Sequence, residues 1–175
     1  MSALHDAARP MGDNMLSERL ALRLEIDSFN VAYCKALDEG RLLDWVEFFT
    51  ADAFYKVTAK ENEDAGLPVG LIYCEGKGML HDRAFAIKET AMYAPRYLRH
   101  MVSNLDIESV EPDGSIKASA AYLLLQTLFD RPEVTIHQTG VYQDRFVRED
   151  GVLKLQSRVC VYDNLLVPNA LVYPV

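Results

Sequence analysis

Tyr93, Arg96, Tyr97, Arg99 and His100 form the densest aromatic and basic cluster in a chain of 175 residues whose formal net charge is −8. Arg and Tyr are enriched where protein surfaces meet, so Tyr93, Arg96, Tyr97 and Arg99 are candidates for an interface. The plainer reading is a surface cluster that neutralises nearby Asp and Glu. A second set can do acid–base work. Tyr33, Asp38, Asp52, Tyr55, His100 and Asp144 would converge inside a curved sheet, with Tyr33, Asp52, Tyr55 and His100 as the pocket, although nothing in their spacing demands it. No Cys is followed by His at two or three positions, and no two His stand at helical ligand spacing, so no metal ligand is assigned. No Ser lies in a Gly-x-Ser-x-Gly elbow. Gly76-Lys77-Gly78 has the setting of a dinucleotide turn, but His81 occupies the sixth position and no parallel βαβ repeat surrounds it, so a strand-to-helix turn is the simpler reading. Asp82, in the first turn of the helix that follows, suits the helix dipole.

The elements that must position these residues follow from periodicity. Leu22, Ile26, Phe29, Tyr33 and Leu37 recur at three and four residues, the stripe of an amphipathic helix. Asn14 or Ser17 caps it and Gly40 stops it. Leu42, Trp45, Val46 and Phe49 make a short second helix, and 54–58 reads as a strand. The charged segment 59–68 reads as a loop, 69–74 as a short strand, and 79–93 as a helix carrying Leu80, Ala84, Ile87 and Ala91 on one face. Pro95 ends it. Strands follow over 99–110 and from Ile116, where Ile116, Ala118, Ala120, Tyr122 and Leu124 share one face. The run 120–125 is apolar on both faces. A further strand spans 134–147, and Asp150-Gly151 is the tip of a hairpin. Beyond it, Leu153, Leu155, Val159 and Val161 face one way and Lys154, Gln156 and Arg158 the other. Helices first and an antiparallel meander last make a single α+β domain over residues 15–175, behind a loose tail over 1–14.

Composition narrows the function. The negative balance argues against a nucleic-acid backbone and against an anionic membrane surface. No apolar run approaches the roughly 20 residues of a spanning helix, and the first 14 residues lack the apolar core of a secretory signal. Three widely spaced cysteines suit a reducing cytoplasm better than a disulfide scaffold. From Leu165 to the end no residue is charged, so this segment packs on its own sheet or on another chain, with Leu171 and Tyr173 as contact candidates.

Several segments, in order, resemble the small (β) subunits of Rieske-type aromatic-ring-hydroxylating dioxygenases. Phe29-Asn30-Val31-Ala32-Tyr33-Cys34, Trp45-Val46-Glu47-Phe48-Phe49-Thr50 and Asp52-Ala53-Phe54-Tyr55-Lys56-Val57-Thr58 are similar to the opening of that family. Leu80-His81-Asp82-Arg83 and Tyr97-Leu98-Arg99-His100-Met101-Val102-Ser103-Asn104 resemble its helix-to-strand segment. Gly140-Val141-Tyr142-Gln143-Asp144-Arg145-Phe146 and Leu155-Gln156-Ser157-Arg158-Val159 resemble its late strands. Asn62 with Gly66-Leu67-Pro68-Val69-Gly70 is similar to the branch acting on monocyclic aromatic acids such as terephthalate or salicylate.

The resemblance implies a cone-shaped, strongly curved antiparallel sheet wrapped around N-terminal helices, the fold of nuclear transport factor 2 and scytalone dehydratase. It implies a larger α subunit carrying the Rieske 2Fe-2S cluster and a mononuclear iron, with no cofactor and no catalytic residue on this chain. It further implies an α3β3 complex with a β trimer, and only indirect contact with reductase or ferredoxin. The alternative on the same fold is a free-standing dehydratase or isomerase with an acid–base pocket inside the cone.

Overall fold

The computed structural model describes residues 13–90, 94–167 and 171–175. Ala91, Tyr93 and nearly all of the expected 1–14 tail lie outside the described residues. The elements, in order, are α1 (Asp13–Asp38), α2 (Leu42–Val46), β1 (Phe49–Ala59), α3 (Lys60–Asp64), β2 (Ile72–Glu75), α4 (Lys77–Glu89), β3 (Arg96–Val110), β4 (Ile116–Leu128), β5 (Val134–Glu149) and β6 (Val152–Tyr162).

The stripe expected on α1 is the face it buries. Ile26, Tyr33 and Leu37 are buried, and Leu22 and Phe29 pack against them. Each large apolar side chain taken fully out of water contributes about 1.5–3 kcal/mol. Gly40 ends the helix at φ +69°. Its N–H bonds the Leu37 carbonyl at 3.0 Å, and the Arg41 N–H reaches the Ala36 carbonyl at 2.8 Å. This paired closure needs a left-handed residue, which glycine supplies without a Cβ clash. Around α1 the aromatic rings of Phe29, Tyr33, Trp45, Phe48, Phe49 and Tyr55 meet mostly edge to face, at centroid separations of 5.2–6.5 Å, the geometry their quadrupoles favour.

The strands form one six-stranded sheet in the order β2-β1-β6-β5-β4-β3. The meander β3–β6 is antiparallel throughout, as the turn signals require. Its last turn holds Asp150 at φ +51° and Gly151 at φ +80°, the pair of positive values that a two-residue hairpin of matching twist demands. β1, however, lies parallel to β6, so the sheet is mixed rather than purely antiparallel. α3 is also a correction, since its segment reads as a loop from its charge. The β3 edge is sealed by side chains of α1. Arg23 donates to the Leu105 carbonyl at 2.8 Å, Arg19 to the Ile107 carbonyl, and Asp38 accepts the His100 N–H at 3.1 Å.

The strand period, and one bulge that breaks it on β6, set which side chains enter the core. On β4 the expected face is buried without exception: Ile116, Ala118, Ala120, Tyr122 and Leu124. The opposite face of 120–125 is half-buried rather than enclosed. On β6 the alternation inverts. Leu155 stands opposite Phe146, but Ser157 stands opposite Arg145, which leaves Gln156 without a partner on β5. One extra residue flips every later side chain. Arg158 and Cys160 therefore point inward, and Arg158, expected on the wet face, has no exposed surface at all. At the curved part of β5, a Cβ on Gly140 would lie 2.0 Å from the Val161 carbonyl oxygen, a close approach that only glycine allows.

Arg158 is held by a bidentate pair with Asp144, at 2.8 and 2.7 Å. Arg158→Met is expected to cost about 3–5 kcal/mol, because it leaves the Asp144 carboxylate buried without its partner. The double variant with Asp144→Leu should recover much of that loss. Urea unfolding of both proteins checks this, and equal stability of the single variant and the parent would contradict it.

Candidate functional site

The interior of the cone holds a polar core assembled from three elements. Asn30 comes from α1, Asp144 from β5 and Arg158 from β6. Besides its two bonds to Asp144, the guanidinium donates to Asn30 Oδ1 at 2.7 Å. It lies 4.2 Å from the ring centre of Tyr33 and 4.1 Å from that of Tyr142, between the two faces. Burial works against its charge, but the adjacent Asp144 carboxylate outweighs burial and holds the Arg158 pKa well above the ordinary arginine value. Burial also pushes the Cys34 and Cys160 thiols up to about 12, and it raises the Tyr33, Tyr55 and Tyr142 hydroxyls. These groups are neutral and unreactive near pH 7, unlike the low-pKa thiols that do chemistry.

The end of the chain closes this interior. Tyr33 and Tyr55 each donate to the Val175 main-chain oxygen at 3.0 Å, and the Val175 N–H donates to the Tyr55 hydroxyl at 2.8 Å. Arg83 of α4 holds the same segment through the Val172 carbonyl at 2.7 Å. Val175 and Leu171 are buried, and Val172 and Tyr173 pack on the core. Of the two fates open to the apolar tail, this stretch takes the first. Leu171 is therefore buried within the chain, and Tyr173 is half-buried against it.

The acid–base pocket is not assembled. Tyr33 and Tyr55 meet, but over the Val175 oxygen. Asp52 lies on the exposed face of β1, with Thr50 and Gln156 as its hydrogen-bond donors, and these hold its carboxyl below the usual range. His100 stands apart, with Nδ1 2.7 Å from Asp38 Oδ1. Asp144, the remaining acid of that set, is bound up with Arg158. The strand period also divides the basic cluster. Leu98 and His100 point inward, whereas Tyr97, Arg99 and Met101 point outward. Arg96 donates to Gln126 Oε1 at 2.9 Å, and Tyr97 stacks on Phe129 at 4.5 Å. Among the described residues, no group of three or more His, Cys, Asp or Glu could hold a metal ion.

A curved six-stranded sheet closed over one long helix is the architecture of the SnoaL-like domain, whose family profile matches residues 18–159. The chain belongs to that class. Its sequence is 34% identical to the anthranilate 1,2-dioxygenase small subunit of Burkholderia cepacia, over 91% of this chain and 98% of that protein. It is 32% identical to the terephthalate 1,2-dioxygenase terminal oxygenase subunit beta 2 of a Comamonas species, over 86% and 97%. A crystal structure described as the β subunit of an aromatic-ring-hydroxylating dioxygenase from Novosphingobium aromaticivorans superposes with a TM-score of 0.81 at 38% identity, covering 90% of this chain and 99% of that one. A scytalone dehydratase-like protein from the same organism, at 16% identity and a TM-score of 0.69, shares the fold alone. Within the SnoaL-like class, then, this chain is a small (β) subunit of the aromatic-ring-hydroxylating dioxygenases, an oxidoreductase component. The resemblance read from the sequence segments holds.

Tyr55→Phe removes the hydroxyl that both accepts from and donates to Val175. It is expected to cost about 1–3 kcal/mol and to speed hydrogen exchange at the Val175 amide, which mass spectrometry reads. Cys160, which has no exposed surface, should react with a thiol reagent only as fast as the protein unfolds, and rapid labelling in native buffer would contradict its burial.

Proposed function

We propose that this subunit acts as an assembly element of an oxygenase for a monocyclic aromatic acid. It joins a larger α subunit in an α3β3 complex with a trimer of small subunits. The observation that carries the assembly role is the outer face of β3, β4 and β5. Tyr97, Met101, Phe129, Val134 and Ile136 are exposed there. Arg99, Leu125 and Ile136 stand side by side across the three strands, as do Tyr97, Thr127 and Val134. Leu165 and Leu166, each 86% exposed, follow Asn164, whose side chain accepts the Thr139 N–H of the same sheet. Contiguous apolar surface of this kind marks an interaction site, and Tyr97 and Phe129 are the aromatic anchors such interfaces favour.

The substrate class rests on the named relatives, since anthranilate and terephthalate are both single-ring aromatic acids. The Rieske cluster and the mononuclear iron are assigned to the α subunit. A Rieske centre takes paired Cys and His ligands, and the three cysteines of this chain are buried on separate elements. Electron-transfer proteins would then meet α directly and this chain only indirectly. Free buried thiols suit a reducing compartment, so the cytoplasm is the proposed location. Among the described residues no helix is long and apolar enough to cross a membrane.

Tyr97→Asp combined with Ile136→Asp should raise the dissociation constant of the co-expressed complex by at least about tenfold, while the circular dichroism and melting temperature of the small subunit stay unchanged. Light scattering of the purified complex is the measurement. An undiminished complex would show that another face carries assembly.

A further inference from the structure

A second apolar surface lies on the loop between α3 and β2, at the sheet margin opposite β3. Leu67, Val69 and Leu71 keep 46–47% of their surface exposed. Tyr73 of β2 is exposed beside them and meets Phe54 edge to face at 5.2 Å. The loop is not slack. The Leu71 N–H donates to the Val57 carbonyl at 2.7 Å, and the Thr58 hydroxyl donates to the Val69 carbonyl at 2.8 Å. A Cβ on Gly70 would lie 2.7 Å from the Val57 carbonyl oxygen, so the main chain is drawn against β1 with no room for a side chain there. A surface held in place before a partner arrives gives up little conformational freedom on binding.

The rim of this patch is acidic. Its two lysines are already engaged, Lys56 with Glu63 at 2.6 Å and Lys60 with Asp64 at 3.1 Å. Glu61 and Glu75 are exposed and carry charge that no lysine or arginine among the described residues offsets; Glu75 accepts only the Tyr73 hydroxyl, at 3.1 Å. The patch on β3–β5 has the opposite rim. Arg96 bonds neutral oxygens, those of Gln126 and the Ala94 carbonyl. The Arg99 side chain is 73% exposed, and the carboxylate nearest it, Asp38 at 3.7 Å, is turned to His100. Arg131 is exposed beside Phe129, and the exposed Asp130 and Glu133 offset two of these three arginines. One chain thus carries an apolar patch with an acidic border and another with a basic one.

A ring of identical subunits needs two different surfaces on every copy, because each head-to-tail contact joins one patch to a second patch on the next copy. The sheet supplies them at its two margins, the loop patch beside β2 and the Tyr97 patch on β3–β5. Either patch set against its own kind would bring like charge to like, whereas one set against the other brings acid to base, which favours the encounter and fixes its direction. We propose that the surface formed by Leu67, Val69, Leu71 and Tyr73 is the docking site for a second copy of this chain, which seats Tyr97, Phe129 and Ile136 on it in a head-to-tail contact. This contact rests on the trimer of small subunits put forward above, and it supplies the two surfaces that close that trimer.

The test is analytical ultracentrifugation of the full chain and two variants. Leu71→Asp disables the loop patch and Ile136→Asp the sheet patch. The parent should sediment as a trimer, and each variant alone should show a self-association constant weakened at least about tenfold. Mixed in equal amounts, the two variants still hold one intact surface of each kind, so they should form pairs that stop at two copies. A parent that stays monomeric, a variant that alone still assembles, or a mixture that stays monomeric would each overturn the proposal. Circular dichroism checks folding. Should Leu71→Asp lower the melting temperature, Glu61→Arg with Glu75→Arg reads the same contact through its charge, and an unchanged trimer there overturns it as well. Capture of the larger subunit is measured separately. A trimer that captures no larger subunit sinks only the oxygenase assembly, and an intact oxygenase built from Leu71→Asp sinks this contact alone.

Discussion

Arg158 carries its charge where no water reaches it, and the rest of the interior is arranged to make that tolerable. Taking an ion of this size out of water costs several kcal/mol even after relaxation. Here much of the cost is offset by a bidentate carboxylate in the guanidinium plane, the Asn30 amide oxygen beside it, and a tyrosine ring on each face, although Nη1 is buried without an acceptor. Arginine suits this role because its planar fork and weakly hydrated faces accept both kinds of partner together, which a lysine ammonium cannot. The consequence reaches beyond one contact. The partners come from α1, β5 and β6, so the guanidinium ties the long helix to the middle of the sheet at a single rotational setting. A sliding or rotated helix would take away the Asn30 oxygen and the Tyr33 face.

Much of this architecture is legible in the residues, and the failures have physical causes. The β4 face can be read by counting in twos because no extra residue interrupts its buried run. β6 cannot be read in that way, because Gln156 is inserted against β5 and nothing about Gln-Ser announces a bulge. The signal that existed was chemical. An Asp on the inner face of one strand and an Arg on the next fall directly opposite each other, as Asp144 and Arg158 do, once the bulge is allowed. The parallel pairing of β1 with β6 joins positions about a hundred residues apart, and no local pattern encodes it. Segment 60–64 is nearly all charged and buries no side chain, so its single helical turn has no hydrophobic period to betray it.

The candidate chemistry was legible by residue type but not by direction. Tyr33 and Tyr55 do converge, yet what they grip is Val175 of the same chain. Asp52 and His100 differ only in which side of a strand they occupy, and that parity removes Asp52 from the interior while bringing His100 to Asp38. A shared fold leaves room for such divergence, because function lies in the residues grafted onto it rather than in the scaffold. In this chain the cone is packed with aromatic rings, and residues 171–175 lie against them.

The two margins of that sheet differ in a way that bears on how the protein can change over evolutionary time. One margin is the four-residue β2, and on the other, β3, the Leu105 and Ile107 carbonyls and the His100 N–H are occupied by Arg23, Arg19 and Asp38. A neighbour finds those groups taken, which disfavours extending the sheet there by an added strand. Recognition must instead be written in outward side chains, which a lineage can exchange one at a time while the main-chain ladder stays intact. The helical arms that close β3 thereby separate the freedom to acquire new companions from the hazard of indiscriminate stacking.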